Sequence, residues 1–313
     1  MRDRDAKRTS AIHHEGWRVS IIQRAIGPRC VLGESPLWDD RTDHLLWVDI
    51  DGKQVHRWSW DTEQVISLTL EDRPGSIALT PDPNTLVLAS EHRIGLLHLD
   101  GSIDWKITLP IPHASVRLND GRVSTAGDFW VGSMHVPAKD RLFISTIYRV
   151  HPDWTWEPAI IDVGVANALV STPAGMHWAD TLHGTCWIFN EASTAPTVSG
   201  TGEPHVTFAA VGLGGGPDGA CIDSQDHVWV ACVHGGALAC FDAAGHLVER
   251  IDLPVRRPTC PVFGGPDLRT LFLTTIGGGG NYPVFDDEPD AGRVLMLDVN
   301  RQGTPEHIFS PIG

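Results

Sequence analysis

Short apolar runs separated by turn residues dominate the chain. Runs such as HLLWVDI (44–50) and VWVACV (228–233) are bounded by Gly, Pro, Asp or Asn, and such turn signals recur about every ten residues. Apolar residues at the 3.6-residue period of an amphipathic helix are hard to find anywhere in the chain. The pattern therefore predicts an all-β fold.

The runs recur as copies of one unit. A polar residue opens a short strand, a turn follows, and then comes an apolar strand that often contains Trp, a second turn and a further strand. Six units follow each other at intervals of 41–51 residues, and they open at Glu34, Ser76, Asn119, Asn167, Asp218 and Thr259. This interval is the length of a four-stranded propeller blade, so the sequence predicts a six-bladed β-propeller.

The opening residue holds an equivalent position in each unit. Eleven residues separate it from the tryptophan of the apolar strand in three units, as from Asn119 to Trp130. In a propeller this position lies at the start of the innermost strand, beside the axis. We therefore expect the six opening residues to ring one end of the central channel.

Four ring residues carry strong oxygen donors: Glu34, Asn119, Asn167 and Asp218. Each Asn or Asp taken alone has an ordinary explanation as a turn or cap residue, whereas Glu34 is not a favoured turn residue. Two buried carboxylates at close range repel each other, and a bound divalent cation removes that repulsion. Oxygen donors favour Ca²⁺, with Mg²⁺ and Mn²⁺ as alternatives, and Zn²⁺ is less expected because no Cys or His ligand set has suitable spacing.

Arg117 lies two residues before Asn119, so strand alternation places both side chains on one face. An arginine beside a metal site can bind substrate hydroxyls or a developing oxyanion. A surface salt bridge explains the residue equally well, and spacing alone leaves the two interpretations open.

Other signals carry less weight. Gly214, Gly216 and Gly219 match G-x-G-x-x-G, but a β-type run follows them instead of a helix, so we interpret the match as accidental. Residues 276–292 form a Gly-rich, acidic insertion that is either a flap over the channel mouth or a surface loop. We expect structural roles for three histidines that follow apolar strands, His135, His183 and His234.

Net charge and the lack of long apolar segments in the sequence limit the expected partners and location. The formal net charge of −15 argues against nucleic acid or an anionic membrane as the main partner. No segment is long and apolar enough to span a membrane, and the N-terminus has no apolar signal-peptide core, so we predict a cytoplasmic protein. Residues 1–16 are predicted to be a flexible leader before a single domain, 17–313.

Two further expectations concern packing. The six cysteines include no C-x-x-C pair and several lie in apolar runs, which predicts buried free thiols. The run RVSIIQRAI (18–26) can supply a strand to the blade that ends near 307–310, which would join the termini, or it is a loose arm.

At these positions the sequence resembles a known family, that of senescence marker protein (regucalcin), gluconolactonase and luciferin-regenerating enzyme. The resemblance covers roughly residues 20–300 in the correct order. Its stretches are LGESPLWD (32–39), RLNDGRVSTAGDFWVGSM (117–134), VANALVSTPAG (165–175), GGPDGACIDSQDHVWVA (215–231) and PTCPVFGGPDLRTLFLTT (258–275).

The resemblance implies a six-bladed propeller with one catalytic divalent metal. It implies metal ligands at Glu34, Asn167 and Asp218, with Asp218 also the general base, and substrate-binding residues at Arg117 and Asn119. Regucalcin-like members have an acidic residue just after the G-x-M strand that contacts the sugar. Here that stretch reads SMHVP (133–137) with no acid, so we expect substrate specificity to depart from that of the family.

These observations predict a metal-dependent hydrolase that opens a sugar (aldono-) lactone to the aldonic acid. The expected partner is a small-molecule sugar lactone, and the expected assembly is a monomer or a weak homo-oligomer. One alternative is a propeller enzyme that hydrolyses organophosphates, because the same metal can polarise P=O. The other alternative is a non-catalytic propeller that binds a metal or another ligand.

Overall fold

The structure, a computed structural model, describes residues 17–19, 21–111, 113–193 and 195–312. Within these ranges the strands form six sheets of four or five strands around a central channel, and no α-helix occurs. This confirms the prediction of an all-β, six-bladed propeller. The predicted leader, residues 1–16, lies outside the described residues.

The strands follow the repeat units closely. Two N-terminal strands, β1 (Trp17–Val19) and β2 (Ile21–Ile26), belong to the last two blades. Blade 1 consists of β3 (Gly33–Asp39), β4 (His44–Asp49), β5 (Gln54–Ser59) and β6 (Val65–Thr69). Blade 2 consists of β7 (Pro74–Leu79), β8 (Thr85–Ser90), β9 (Arg93–His98) and β10 (Ile103–Thr108). Blade 3 consists of β11 (Val116–Val123), β12 (Phe129–His135), β13 (Ser145–Val150) and β14 (Trp156–Val163).

The second half repeats the plan. Blade 4 begins with β15 (Ala166–Thr172), β16 (Gly175–Asp180) and β17 (Thr185–Phe189). Two short strands follow: β18 (Thr197–Val198) joins the edge of blade 3, and β19 (Val206–Thr207) completes blade 4. Blade 5 consists of β20 (Gly216–Ile222), β21 (Val228–Val233), β22 (Ala237–Phe241) and β23 (Leu247–Asp252). Blade 6 consists of β24 (Pro258–Gly264), β25 (Thr270–Thr275) and β26 (Val294–Asp298). Two single-turn 3₁₀ helices occur, η1 (Ala138–Asp140) and η2 (Phe208–Val211).

The N-terminal strands close the ring. Strand β2 pairs antiparallel with β26 and supplies the fourth strand of blade 6, while β1 adds a parallel edge strand to β23 of blade 5. The predicted closing strand is thus present within 18–26 and joins the last blade as expected, although its partner strand ends well before 307–310. Its partner is Val294–Asp298, because the chain beyond β26 leaves the sheet and Ile308 forms a bridge with Leu79 of blade 2 instead.

The last residues of the chain pack under the innermost strands. The Phe309 side chain is fully buried, and the Phe309 N–H donates to the Leu79 carbonyl oxygen at 2.9 Å. The Glu306 carboxylate accepts a hydrogen bond from Arg122 of β11 at 2.9 Å. These contacts tie the C-terminal segment to strands of blades 2 and 3.

Each innermost strand carries a register shift at or beside its ring residue. In blade 1 the shift lies between Glu34 and Leu37, in blade 4 between Asn167 and Val170, and the other four blades show the same irregularity. Such bulges interrupt the ladder and re-aim side chains. The sixfold repetition explains why one sequence position faces the channel in every blade.

The close packing of two innermost strands requires a glycine at position 219. A Cβ atom at Gly219 would overlap the side chain of Cys260 on the neighbouring strand β24. Only glycine therefore lets β20 and β24 approach this closely just after Asp218. The strand conformation of 216–222 also supports the interpretation of the G-x-G-x-x-G match as accidental.

The cores lie between neighbouring blades. Trp47, Trp130, Trp178 and Trp229, which mark the apolar strand of their units, are at most 2% exposed. All six cysteines are buried and free, as predicted. Among the described residues, no helix has the length and apolar character needed to cross a membrane. Cytoplasmic location and assembly state stay predictions.

Candidate metal and substrate site

A cavity of about 580 Å³ opens at the channel end where the innermost strands begin. All five predicted site residues line it: Glu34, Arg117, Asn119, Asn167 and Asp218. The two remaining ring residues, Ser76 and Thr259, do not line it within the described structure and are fully buried. Four of the six ring residues therefore meet in one cavity, together with Arg117.

A hydrogen-bond network joins blades 3 and 4 at the cavity. The Asn119 Nδ2 group donates to Asn167 Oδ1 at 2.8 Å and to the Ala166 carbonyl oxygen at 3.0 Å. The Asn119 Oδ1 atom accepts from Arg117 Nη1 at 2.8 Å. Asn119 thus fixes the orientation of a predicted metal ligand on one side and of a predicted substrate ligand on the other.

Thr181 extends this network to blade 5. The Asn167 Nδ2 group donates to Thr181 Oγ1 at 2.9 Å, and Thr181 Oγ1 donates to the Pro217 carbonyl oxygen at 2.7 Å. Pro217 precedes Asp218, so two predicted ligands are connected through one hydroxyl. Sequence reasoning missed Thr181, because it lies in a connection after β16 and not at the repeated position.

The two carboxylates of the ring are buried, and the effect of burial on their pKa outweighs that of the nearby Arg117 charge. Glu34 is 7% exposed and Asp218 is 6% exposed. Burial, with the nearby Asp120 carboxylate, raises the pKa of Glu34 to about 8. Burial raises the pKa of Asp218 well above its ordinary value, and the charge on Glu34 adds to the effect.

This donor set fits a hard divalent cation. The cost of holding two negative charges in a buried site falls when a cation lies between them. The two carboxylates and the Asn167 carbonyl are oxygen donors of the kind that Ca²⁺ prefers. No Cys or His belongs to the predicted ligand set.

Asp120 is a buried acid that sequence reasoning missed. Its Oδ2 atom accepts the Leu169 N–H at 3.0 Å, and the nearby Arg122 guanidinium favours its charged form. Burial raises the pKa of Asp120 as well. Asp120 follows Asn119 directly and lies within the same register shift of the strand, between Leu118 and Gly121.

Arg117 enters the cavity wall with unused donors. It is 3% exposed, and its Nε atom is buried without a hydrogen-bond partner among the described residues. Burial lowers the pKa of Arg117 from its ordinary value. A buried guanidinium donor without a partner carries a desolvation penalty that a bound ligand can remove. Arg117 is therefore buried in the cavity wall and forms no surface salt bridge with the described residues, while its role in binding a ligand stays a prediction.

The three histidines have different outcomes. His135 Nδ1 lies 3.3 Å from the Pro137 carbonyl oxygen, and His183 Nδ1 lies 3.1 Å from Asp180 Oδ2, which are structural roles. His234 instead lines the cavity. Burial lowers the pKa of His234, and the charge on Arg257 adds to this, so its neutral form is favoured.

The 276–292 insertion lies at the cavity. Ile276 and Tyr282 line it. Arg257 Nη2 donates to the Pro283 carbonyl oxygen at 2.7 Å, and Arg256 forms an ion pair with Glu288 at 2.5 Å. These contacts anchor the insertion beside the cavity, which agrees with the flap interpretation in position.

Among the described residues, two other groups of metal-binding residue types lie outside the cavity: Cys30, Asp49 and His56, and Asp223, His227 and Cys240. Asp49 accepts three backbone N–H groups, and Asp223 accepts the Trp229 indole N–H and the N–H of two loop residues. Both carboxylates are thus occupied as loop caps. Residue spacing did not predict these groups, since their members come together only in the folded blades.

Comparison with protein-family models decides the classification. The model described as the SMP-30/Gluconolactonase/LRE-like region matches residues 32–277. The chain belongs to this family. The matched range includes all six ring positions, from Glu34 to Thr259. It confirms the resemblance stated from the sequence motifs.

Relatives of the chain carry lactonase names. It is 32% identical over 283 residues to 6-deoxy-6-sulfogluconolactonase of Pseudomonas putida, covering 90% of this chain and 95% of that protein. It is 29% identical over 292 residues to pentonolactonase XacC of Haloferax volcanii, covering 91% of this chain and 97% of that protein. The solved structure of a calcium-binding protein, regucalcin, from Agrobacterium tumefaciens superimposes with a TM-score of 0.83 at 23% identity, over 95% of this chain and 99% of that one. This structural likeness confirms the fold.

Proposed function

We propose that this family member is a divalent-metal-dependent lactonase that opens a sugar (aldono-) lactone to the aldonic acid. The observation that carries the proposal is the convergence of two buried carboxylates, two carboxamides and a buried arginine on one cavity. The lactonase names of relatives that align over about nine-tenths of the chain support the reaction class.

Glu34, Asn167 and Asp218 are the proposed metal ligands. Their oxygen donors favour Ca²⁺, with Mg²⁺, Mn²⁺ and Zn²⁺ as alternatives in decreasing agreement with the donor set. A bound ion of this kind supplies a Lewis acid for the lactone carbonyl and lowers the pKa of a coordinated water.

Asp218 is the proposed general base. One of its carboxylate oxygens takes the proton from the water that attacks the lactone carbonyl carbon. The new C–O bond forms at that carbon, the ring C–O bond then breaks, and the released ring oxygen takes up a proton to become the hydroxyl of the aldonic acid.

Arg117 and Asn119 are the proposed substrate-binding residues. The Arg117 Nε–H has no hydrogen-bond partner among the described residues, and this donor suits a ring hydroxyl or the oxyanion of the tetrahedral intermediate. Both Nδ2 hydrogens of Asn119 are committed to Asn167 and Ala166. Asn119 therefore contributes to catalysis by holding Arg117 and Asn167 in place, in addition to any contact that its Oδ1 atom makes with substrate.

The test combines metal removal with a choice of substrate. Purified protein is treated with a chelator, and hydrolysis of gluconolactone, pentonolactones and a phosphotriester is measured before and after Ca²⁺, Mg²⁺, Mn²⁺ or Zn²⁺ is restored. We expect hydrolysis of at least one lactone, loss of that activity on chelation and its return with metal. A protein that hydrolyses only the phosphotriester, or that binds metal without lactone turnover, would overturn the proposal.

A further inference from the structure

The cavity carries more positive than negative charge, although the chain has a net charge of −15. Three cationic side chains line it, Arg117, Lys139 and Arg141, against the two carboxylates of Glu34 and Asp218. A divalent cation would offset the charge of the two carboxylates, so Lys139 and Arg141 would remain available to an anion. A local field of this sign attracts anions and raises their concentration in the cavity.

Two of these cations have no carboxylate partner. Neither Lys139 nor Arg141 forms an ion pair with any described residue, and this includes Asp140, which lies between them. Arg141 Nη2 donates to the Leu182 carbonyl oxygen at 2.9 Å. This bond holds the guanidinium against the cavity wall and leaves its other N–H donors for a ligand.

The polar and charged residues of the cavity form two groups, a buried floor and an exposed rim. Glu34, Asn167 and Asp218 are 4–7% exposed, whereas Lys139 and Arg141 are exposed and belong to the connection between β12 and β13. Because both groups line one cavity, a lactone whose carbonyl lies at the buried carboxylates has room to place its far end at the two exposed cations. Binding of an anionic group there forms charge-assisted hydrogen bonds, and a guanidinium can contact two oxygens at once.

We propose that the substrate carries an anionic group, a carboxylate, sulfonate or phosphate, at the end opposite the lactone carbonyl, and that Lys139 and Arg141 bind it. The reaction at the floor rests on the proposed lactonase function, whereas binding of the anionic group does not require turnover.

The kinetic test uses lactones that differ in one charge. Gluconolactone is compared with its 6-carboxyl, 6-sulfo and 6-phospho counterparts on the wild type, Lys139→Gln and Arg141→Gln, in the presence of Ca²⁺. We expect kcat/KM to favour at least one anionic lactone by roughly 10-fold or more, and each variant to lose roughly 10-fold on it, mainly through KM. The three anions distinguish carboxylate, sulfonate and phosphate as the source of the charge.

Arg269→Gln is the matched control, because Arg269 is an exposed arginine that lines a different pocket, between blades 5 and 6. This variant should retain the wild-type ratio between anionic and neutral lactones. Added salt should reduce the ratio in the wild type more than in Arg141→Gln. Equal kcat/KM for neutral and anionic lactones, or equal losses on both in the rim variants, would overturn the anion proposal and leave the lactonase proposal intact.

A binding measurement tests the anion site independently of lactone hydrolysis. Calorimetry measures glucose, glucuronate, 6-deoxy-6-sulfoglucose and glucose 6-phosphate against wild type and both rim variants. Preferential binding of an anionic sugar that is lost in Lys139→Gln and Arg141→Gln supports the anion site even if no lactone is hydrolysed. No preference for any anionic sugar over glucose contradicts it.

Discussion

The side chains of Asn119 and Asn167 lie in direct contact, with Asn119 Nδ2 donating to Asn167 Oδ1 at 2.8 Å across the boundary between blades 3 and 4. Asn119 also holds Arg117 and so connects the proposed metal ligands to the proposed substrate-binding arginine. Hydrogen bonds to a metal ligand fix its orientation and commonly affect metal affinity. The relationship makes Asn119 the residue through which metal binding and substrate binding depend on each other.

Replacing Asn119 therefore weakens metal binding without a direct change in the ligands. In Asn119→Ala, Asn167 loses a donor and Arg117 loses its acceptor, and we expect Ca²⁺ affinity to fall by roughly 10–100-fold. Titration calorimetry of chelator-treated protein measures the change. Asn84→Ala, at an exposed position in blade 2, is the control and should bind Ca²⁺ like the wild type. Wild-type affinity in Asn119→Ala would show that Asn167 is oriented without it.

Asp218→Asn should stabilise the metal-free protein. In the wild type without metal, Asp218 and Glu34 are buried close enough for their charges to raise the pKa of Asp218, so neutralising one of them relieves the repulsion. We expect a higher unfolding temperature than the wild type in chelator, by about 2 °C or more for each kcal/mol gained. Added Ca²⁺ should raise the unfolding temperature of the wild type and much less that of the variant.

Asp40→Asn serves as the control for that comparison, because Asp40 is exposed in the turn after β3. It should respond to Ca²⁺ like the wild type. A metal-free Asp218→Asn protein that unfolds at a lower temperature than the wild type would contradict the account of two uncompensated carboxylates.

The ion pair between Arg122 and Glu306 anchors the C-terminal segment and should contribute strongly to stability. Their side chains are 7% and 13% exposed, and Arg122 also donates to the Ala220 carbonyl oxygen at 2.9 Å. Glu306→Gln removes the principal counter-charge of a buried guanidinium and leaves only the more weakly coupled Asp120, at a cost of about 3 kcal/mol. Denaturant unfolding measures it.

Two variants check that the effect comes from burial. The double variant Arg122→Met/Glu306→Leu removes both charges and should lose less stability than Glu306→Gln alone. Glu63→Gln breaks an exposed ion pair with Arg24, with side chains 57% and 42% exposed, and should cost less than about 1 kcal/mol. Equal effects of Glu306→Gln and Glu63→Gln would contradict a buried pair.

Acidification should destabilise the fold through two buried histidines. Burial lowers the pKa of His56 and of His177 to about 4 in the folded protein, against about 6.5 for an unfolded chain. The unfolded state thus binds more protons between pH 6.5 and pH 4. The stability that the neutral imidazoles contribute is fully present above pH 6.5, and it falls as the pH decreases to 4, by at most about 3 kcal/mol for each histidine.

Unfolding by denaturant at pH 7, 6, 5 and 4 measures this dependence. Between pH 6.5 and pH 4, His56→Gln should lose less free energy of unfolding than the wild type. The difference should equal the contribution of the His56 imidazole. The same slope in both proteins would show that the His56 imidazole is not held neutral by the fold. His246→Gln, at an exposed histidine, should leave the slope unchanged apart from its ion pair with Asp242.

The blades and the floor of the site could be predicted because both follow the repeat. Each blade begins with a strand whose bulge aims one residue at the channel, so Glu34, Asn119, Asn167 and Asp218 were identifiable by position alone. Residues outside the repeat were missed. Thr181 and Lys139 come from connections that differ in every blade, and no periodicity indicates their direction.

Long-range pairing was the other limit. The hydrogen bond between Arg122 and Glu306 joins residues 184 positions apart, and the last blade was expected to end near 307–310, whereas its last strand ends at Asp298. The sequence of a strand indicates that the strand will pair with a sheet edge. Which edge is free depends on where the C-terminal segment packs. That choice is made by tertiary contacts such as the burial of Phe309.

The most direct measurement of the central claim is lactone hydrolysis by Asp218→Ala saturated with Ca²⁺, beside wild type and Asp40→Ala. Loss of the proposed general base predicts a decrease in kcat of roughly 10²–10⁴-fold in a protein that remains folded, with Asp40→Ala unchanged. Turnover near the wild-type rate in folded Asp218→Ala would contradict the claim that this cavity is the lactone-hydrolysing centre.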